Sequence, residues 1–155
     1  MTVAEKLVAL LKARGLTCAT AESCTGGGVG SAITAVAYCA AHGWRNPVIV
    51  GATGKREDHA IGNVFRALDY GCEIVTDHGR FIPVRGKATL KVAKGAAVSI
   101  FAPDPKTRMT SRGLEWPLDD VRFRNLYCAT LNRATSVRVT LTTTRPVSVF
   151  IEERK

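Results

Sequence analysis

The chain is expected to fold as an α/β unit with a short parallel sheet, followed by an all-β sandwich of jelly-roll-like type. Three observations carry that expectation. Up to about Val75, helix-period and strand-like segments alternate, the order that builds parallel strands covered by helices. After Asp77, short β-branched runs are separated by turn signals, as in a sandwich. Between strand and helix, VIVGATGKREDHAIGN (48–63) reads as an apolar strand, a glycine loop with two cations, and a helix start.

In chain order, Val3, Leu7, Leu10 and Leu11 recur at helical spacing over Val3 to Ala13, and Gly15 ends that helix. Leu16 to Thr20 reads as a short strand and Ala21 to Thr25 as a turn. Gly26–Gly28 leads into a small-residue helix reaching about Ala41. Val48 to Gly51 is the next strand. Asp58 to Tyr70 is the next helix, with Ile61, Val64, Phe65 and Leu68 expected on one face, and Glu73 to Val75 is another strand. The boundary between the two units is expected near Thr76 to Gly79, giving 1–77 and 78–155. Strands are then expected at Phe81–Val84, Ala88–Val92, Ala97–Phe101, Val121–Phe123, Ser136–Thr142 and Val147–Ile151.

The 155 residues are 46% hydrophobic and 23% charged, ordinary for a globular protein. No apolar run is long enough to span a membrane, and the charged first segment is not a signal peptide. Five cysteines without a C-x-x-C pair argue against a zinc site or disulfide scaffold and for a cytoplasmic location. The net charge of +9 is compatible with phosphorylated ligands. The cations are spread along the chain, with no dense basic run and no interleaved aromatics, so neither nucleic acid nor membrane is the expected partner.

The loop at 51–59 is an anion-site candidate, because unpaired N–H groups at a helix start carry partial positive charge. Gly51, Thr53 and Gly54 offer main chain, Lys55 and Arg56 offer charge, and Arg56 can grip phosphate with two N–H groups. Asp58 and His59 are candidates for orienting a ligand or metal-bound water. The same residues also read as solvated cations and as acids stabilised by the helix dipole.

From about Ala35 onward the chain resembles thiamine pyrophosphokinase. The resemblance rests on 35–63, VTDHGRFIPV (75–84), VSIFAP (98–103), TSRGLEWPL (110–118) and TLNRAT (130–135). It implies a homodimer that transfers a pyrophosphoryl group from Mg²⁺-ATP to the hydroxyl of thiamine, giving thiamine diphosphate and AMP. It makes Gly51, Thr53, Gly54, Lys55, Arg56 and His59 nucleotide contacts, Arg56 and Asp58 catalytic, and Asp58 a metal ligand. Ser99, Trp116, Thr130 and Asn132 would contact thiamine, where an indole face stabilises a cationic ring. The stretch LLKARGLTCATAESCTGG (10–27) is instead similar to the CinA C-terminal domain, the nicotinamide mononucleotide amidase, and implies Ser23 as nucleophile. That resemblance fades within Val29 to Thr34, so two families meet inside one helix. The kinase family's upstream Gly-Asp-x-Asp-Ser and Asp-Gln…Asp loops, which hold Mg²⁺, are replaced here by Ala21-Glu22-Ser23-Cys24-Thr25. A catalytically silent chimera therefore stands beside the two enzymes as a third expectation.

Overall fold

A computed structural model describes residues 2–17, 28–53 and 56–153. Helix α1 (Val3–Ala13) starts at Thr2, whose Oγ1 accepts from the Glu5 N–H at 3.2 Å while the Thr2 N–H donates to Glu5 Oε2 at 2.7 Å. This reciprocal box satisfies two donors that the helix leaves unpaired. Helix α2 (Gly28–Ala41) follows, then strand β1 (Val48–Val50), helix α3 (Glu57–Tyr70) and strand β2 (Glu73–Val75). Gly71 ends α3 in the left-handed region at φ 69°, and the Cys72 N–H closes the end on the Ala67 carbonyl at 2.8 Å. Arg85 adds a second stop, donating to the Leu68 and Asp69 carbonyls at 2.8 and 3.1 Å.

The remaining strands are β3 (Gly79–Val84), β4 (Lys87–Lys91), β5 (Ala97–Phe101), β6 (Arg108–Arg112), β7 (Val121–Arg122), β8 (Ala129–Arg133), β9 (Arg138–Thr143) and β10 (Val147–Glu152). They form two sheets, ordered β1-β2-β3-β10-β5-β8 and β4-β9-β6-β7. Strands β1 and β2 are parallel, and β2 pairs antiparallel with β3. The turn at Thr76–Gly79, where the unit boundary was expected, therefore lies inside one hydrogen-bonded sheet. The described chain is mostly β-sheet with few helices.

Alternation along the strands builds the core. Val84, Val98, Ile100, Val147, Val149 and Ile151 of the large sheet pack with Met109, Val139 and Leu141 of the small one. On the other face of the large sheet, Ile74 and Cys72 pack with Val36, Val64 and Ala67 from α2 and α3. The α3 face is Asn63, Val64, Ala67 and Leu68, whereas Ile61, expected on it, is exposed. Helical spacing allows a stripe shifted by one position, and the sheet chose that one.

Strands β6 and β8 are absent from the sequence expectation. RMTSR turns only Met109 and the polar Ser111 inward, and ATLNR turns Ala129 and Asn132 inward across a bulge. Neither shows an apolar alternation. Val121–Phe123 is strand only through Arg122, although Phe123 is fully buried. Leu16 and Thr17 are not in a strand, and the rest of that expected element, with the turn at 21–25, lies outside the described residues. No helix among the described residues is long and apolar enough to cross a membrane.

Candidate functional site

The first candidate surrounds strand β8. In the pairing of β5 with β8, Val98 faces Asn132 but Ile100 faces Ala129, so β8 carries one extra residue. The bulge is centred on Thr130 and Leu131, with Leu131 in the left-handed region at φ 61°. A leucine there is strained, and such bulges re-aim side chains beside sites. Ser99 Oγ accepts from the Leu131 N–H at 3.1 Å, and Thr130 Oγ1 donates to the Tyr127 carbonyl at 3.1 Å. Together these bonds hold the bulge, and the Leu131 side chain stands 83% exposed.

Asn132 is buried and holds the main chain of Trp116. Its Nδ2 donates to the Trp116 carbonyl at 2.8 Å, and its Oδ1 accepts from the N–H groups of Trp116 at 3.2 Å and Arg133 at 2.8 Å. The second N–H of the amide makes no hydrogen bond among the described residues. The Trp116 side chain is 58% exposed. Trp116, Pro117, Leu118, Cys128, Thr130 and Asn132 line an open cleft of about 310 Å³. Of the four residues expected to contact thiamine, Trp116, Thr130 and Asn132 meet at this cleft, while Ser99 is not in its lining and braces the bulge. The sequence reading missed Leu118, Cys128 and Leu131. No sequence signal marks them, because ATLNR shows no apolar alternation and the bulge at Leu131 appears only in the strand pairing.

The second candidate is the loop after β1. Gly51 has φ 73°, open to glycine and costly for other residues. Asn63 Nδ2 fixes the loop by donating to the Ala52 carbonyl at 2.7 Å. Thr53 and His59 are half-buried. Arg56 precedes α3 and makes no side-chain cap to it, while the Asp58 carboxylate takes a hydrogen bond from the His59 main-chain N–H in the first turn. Arg56 and Asp58 instead grip each other, with Nε to Oδ1 at 3.1 Å and Nη2 to Oδ2 at 2.7 Å. The hydrogen bond from Arg56 holds the Asp58 carboxyl below the usual carboxylate range and raises the guanidinium. Both side chains are exposed.

The donors at this loop do not fit a magnesium ion. Both Asp58 oxygens are taken by Arg56, and among the described residues no group of three or more His, Cys, Asp or Glu could hold a metal. Gly54, Lys55 and Ser23 lie outside the described residues.

The two candidates sit on opposite edges of the large sheet, on β1 and β8. Comparison with known proteins bears on the second half first. Residues 79–150 match the thiamin pyrophosphokinase substrate-binding domain. Trp116, Thr130, Asn132 and the whole cleft fall inside that match. Residues 1–42 match the CinA C-terminal domain, which reaches beyond Val29–Thr34, where the sequence resemblance fades. Residues 43–78, with the glycine loop and α3, lie in neither match. Separate stretches of the chain thus match two family models.

Solved structures share the fold across both. Thiamine pyrophosphokinase from Bacillus subtilis aligns at 16% identity and TM-score 0.64, covering 100% of this chain and 75% of its own. The enzyme from Geobacillus thermodenitrificans aligns at 23% identity and TM-score 0.63, covering 99% and 74%. A thiamin pyrophosphokinase family protein from Enterococcus faecalis aligns at 12% and 0.68, covering 99% and 76%. At these identities the likeness establishes the fold. No curated protein matches the sequence.

Proposed function

We propose that this chain is a thiamine pyrophosphokinase-like protein whose cleft beside Trp116 takes thiamine or thiamine diphosphate. The observation that carries this reading is the Asn132 clamp, which presents an exposed indole at the mouth of a cleft within the matched substrate-binding domain. The indole face stabilises the cationic thiazolium by about 1–2 kcal/mol where water is excluded. The free N–H of Asn132 suits a ring nitrogen of the aminopyrimidine.

In the reaction of this class, the thiamine hydroxyl oxygen attacks the β-phosphorus of ATP, the bond to the α–β bridging oxygen breaks, and AMP leaves. The start of α3, where Arg56 makes no side-chain cap, supports anion binding on the donor side. No step is assigned to Asp58, whose oxygens are committed to Arg56. Five strand spacings separate β1 from β8, roughly 24 Å, so one copy of the chain keeps the two candidates apart. A homodimer that brings one copy's loop to the other's cleft resolves this.

Isothermal titration with thiamine and with thiamine diphosphate tests the cleft. Heat with either compound that disappears in Trp116→Ala supports it, and no heat at millimolar ligand overturns it. AMP release from ATP and thiamine tests the transfer separately. The match of residues 1–42 to the CinA C-terminal domain favours a second reading, an amidase acting through Ser23. Ammonia release from nicotinamide mononucleotide that persists in Ser23→Ala rules that role out. A chain that yields neither AMP nor ammonia is the silent chimera.

A further inference from the structure

The small sheet has two faces of opposite character. Ala88, Leu90, Met109, Val121, Val139 and Leu141 point to the core. The outward positions of the same strands carry Lys87, Lys91, Arg108, Arg112, Arg122 and Arg138, and the rest are threonines. No aspartate or glutamate occurs in these four strands. Register places the cations side by side. Lys91 is opposite Arg138, Arg108 is opposite Arg122, and Arg112 is opposite Thr140, two residues along from Arg138. Neighbours on such a face are spaced by about 5 Å across strands and about 7 Å along them.

These charges are largely unpaired within the protein. Arg108 is bound to Asp120, but among the described residues Lys87, Lys91, Arg112, Arg122 and Arg138 make no ion pair. All five are exposed. Clustering like charges without acids costs Coulomb energy that an ordinary solvated face avoids by mixing signs. The neighbouring hydroxyls add donors, for example Thr89 and Thr140, which share a hydrogen bond at 3.1 Å.

We propose that the outer face of the β4-β9-β6-β7 sheet docks the phosphate backbone of a nucleic-acid duplex, without reading its sequence. Guanidinium groups and hydroxyls are the donors that phosphate oxygens take, and arginine forks match them with two bonds each. The outward positions hold no aromatic or apolar side chain, so the face neither stacks on bases nor inserts into a lipid layer. The cations come from four strands spread over the second half of the chain, which is why no basic run shows in the sequence.

Fluorescence anisotropy with a labelled mixed-sequence DNA duplex of about 20 base pairs, from about 50 to 200 mM salt, tests the face. Binding is expected at low salt, with log K falling against log salt at a slope of about −4 to −5 for five phosphate contacts. The variant K91E/R112E/R138E should lose at least tenfold in affinity, and its slope should shrink by about 3. If that variant is misfolded by circular dichroism, K91Q/R112Q/R138Q provides the same reading. The variant K6E/K12E/R45E changes net charge equally at exposed sites elsewhere and should lose less than threefold. Equal weakening by both variants, no binding at low salt, or binding only to phosphatidylserine vesicles each overturns the proposal.

Discussion

The amide of Asn132 brackets the main chain of Trp116, giving a hydrogen bond to its carbonyl at 2.8 Å and taking one from its N–H at 3.2 Å. The two residues are sixteen positions apart in sequence. An exposed tryptophan is held here by a buried asparagine.

Asn132→Ala therefore strands three main-chain groups: the N–H and carbonyl of Trp116 and the N–H of Arg133. The expected loss is about 1–3 kcal/mol in urea denaturation, because these part-buried groups lose their partner together. Asn132→Asp keeps the acceptor oxygen but sets a second oxygen against the Trp116 carbonyl. It should weaken thiamine binding more than it lowers stability, read by titration beside the denaturation curve. Trp116→Ala should go further in the same direction, removing binding with little change in the denaturation midpoint.

Gly113 precedes this tryptophan by three residues and has φ 86°. A Cβ there would collide with the Arg138 carbonyl oxygen. Gly113→Ala should cost about 1–3 kcal/mol from left-handed strain and main-chain displacement together. Thermal unfolding of the variant checks it, and an unchanged midpoint would contradict the close approach.

Arg85 closes the end of α3 from the turn after β3. Arg85→Ala should remove two hydrogen bonds to terminal carbonyls and a favourable charge at the negative end of the helix. The expected effect is about 1 kcal/mol, with faster amide exchange in the last turn of α3.

The Arg56–Asp58 pair gives a prediction about pH. The Asp58 carboxyl is held below its usual range by the arginine. A depressed acid pKa favours the folded pair above the unfolded carboxylate pKa, and this is lost as pH falls through the folded value. Both groups are solvent-exposed, so the effect on unfolding is small. Carbon-detected NMR titration should show Asp58 ionising below the ordinary aspartate range and rising in Arg56→Ala. An unshifted Asp58 in the parent protein would remove the argument that this carboxylate is committed.

Much of the fold was legible from the chain alone. Helices α1 and α3 follow from apolar spacing and glycine stops and α2 from its small-residue run, with Gly71 ending α3 as expected. Six of the sandwich strands follow from β-branched runs between turns. Strands β6 and β8 were not legible, because their inward positions include Ser111 and Asn132. Those polar side chains are buried only because partners from elsewhere satisfy them: Ser111 accepts from the Leu118 N–H at 2.8 Å, and Asn132 holds Trp116. A local pattern carries no information about such distant partners.

The sequence by itself determined the alternation of elements, the glycine loop at 51–54 and the block containing Trp116 and Asn132. Tertiary structure decided what these do to one another. It placed the loop and the cleft on opposite edges of one sheet, turned Asp58 toward Arg56, and made Ser99 a brace for the bulge. It also gathered cations scattered from Lys87 to Arg138 onto one sheet face. Strand period fixes which face a residue takes, but only cross-strand register fixes its neighbours, and that register depends on pairings between distant parts of the chain.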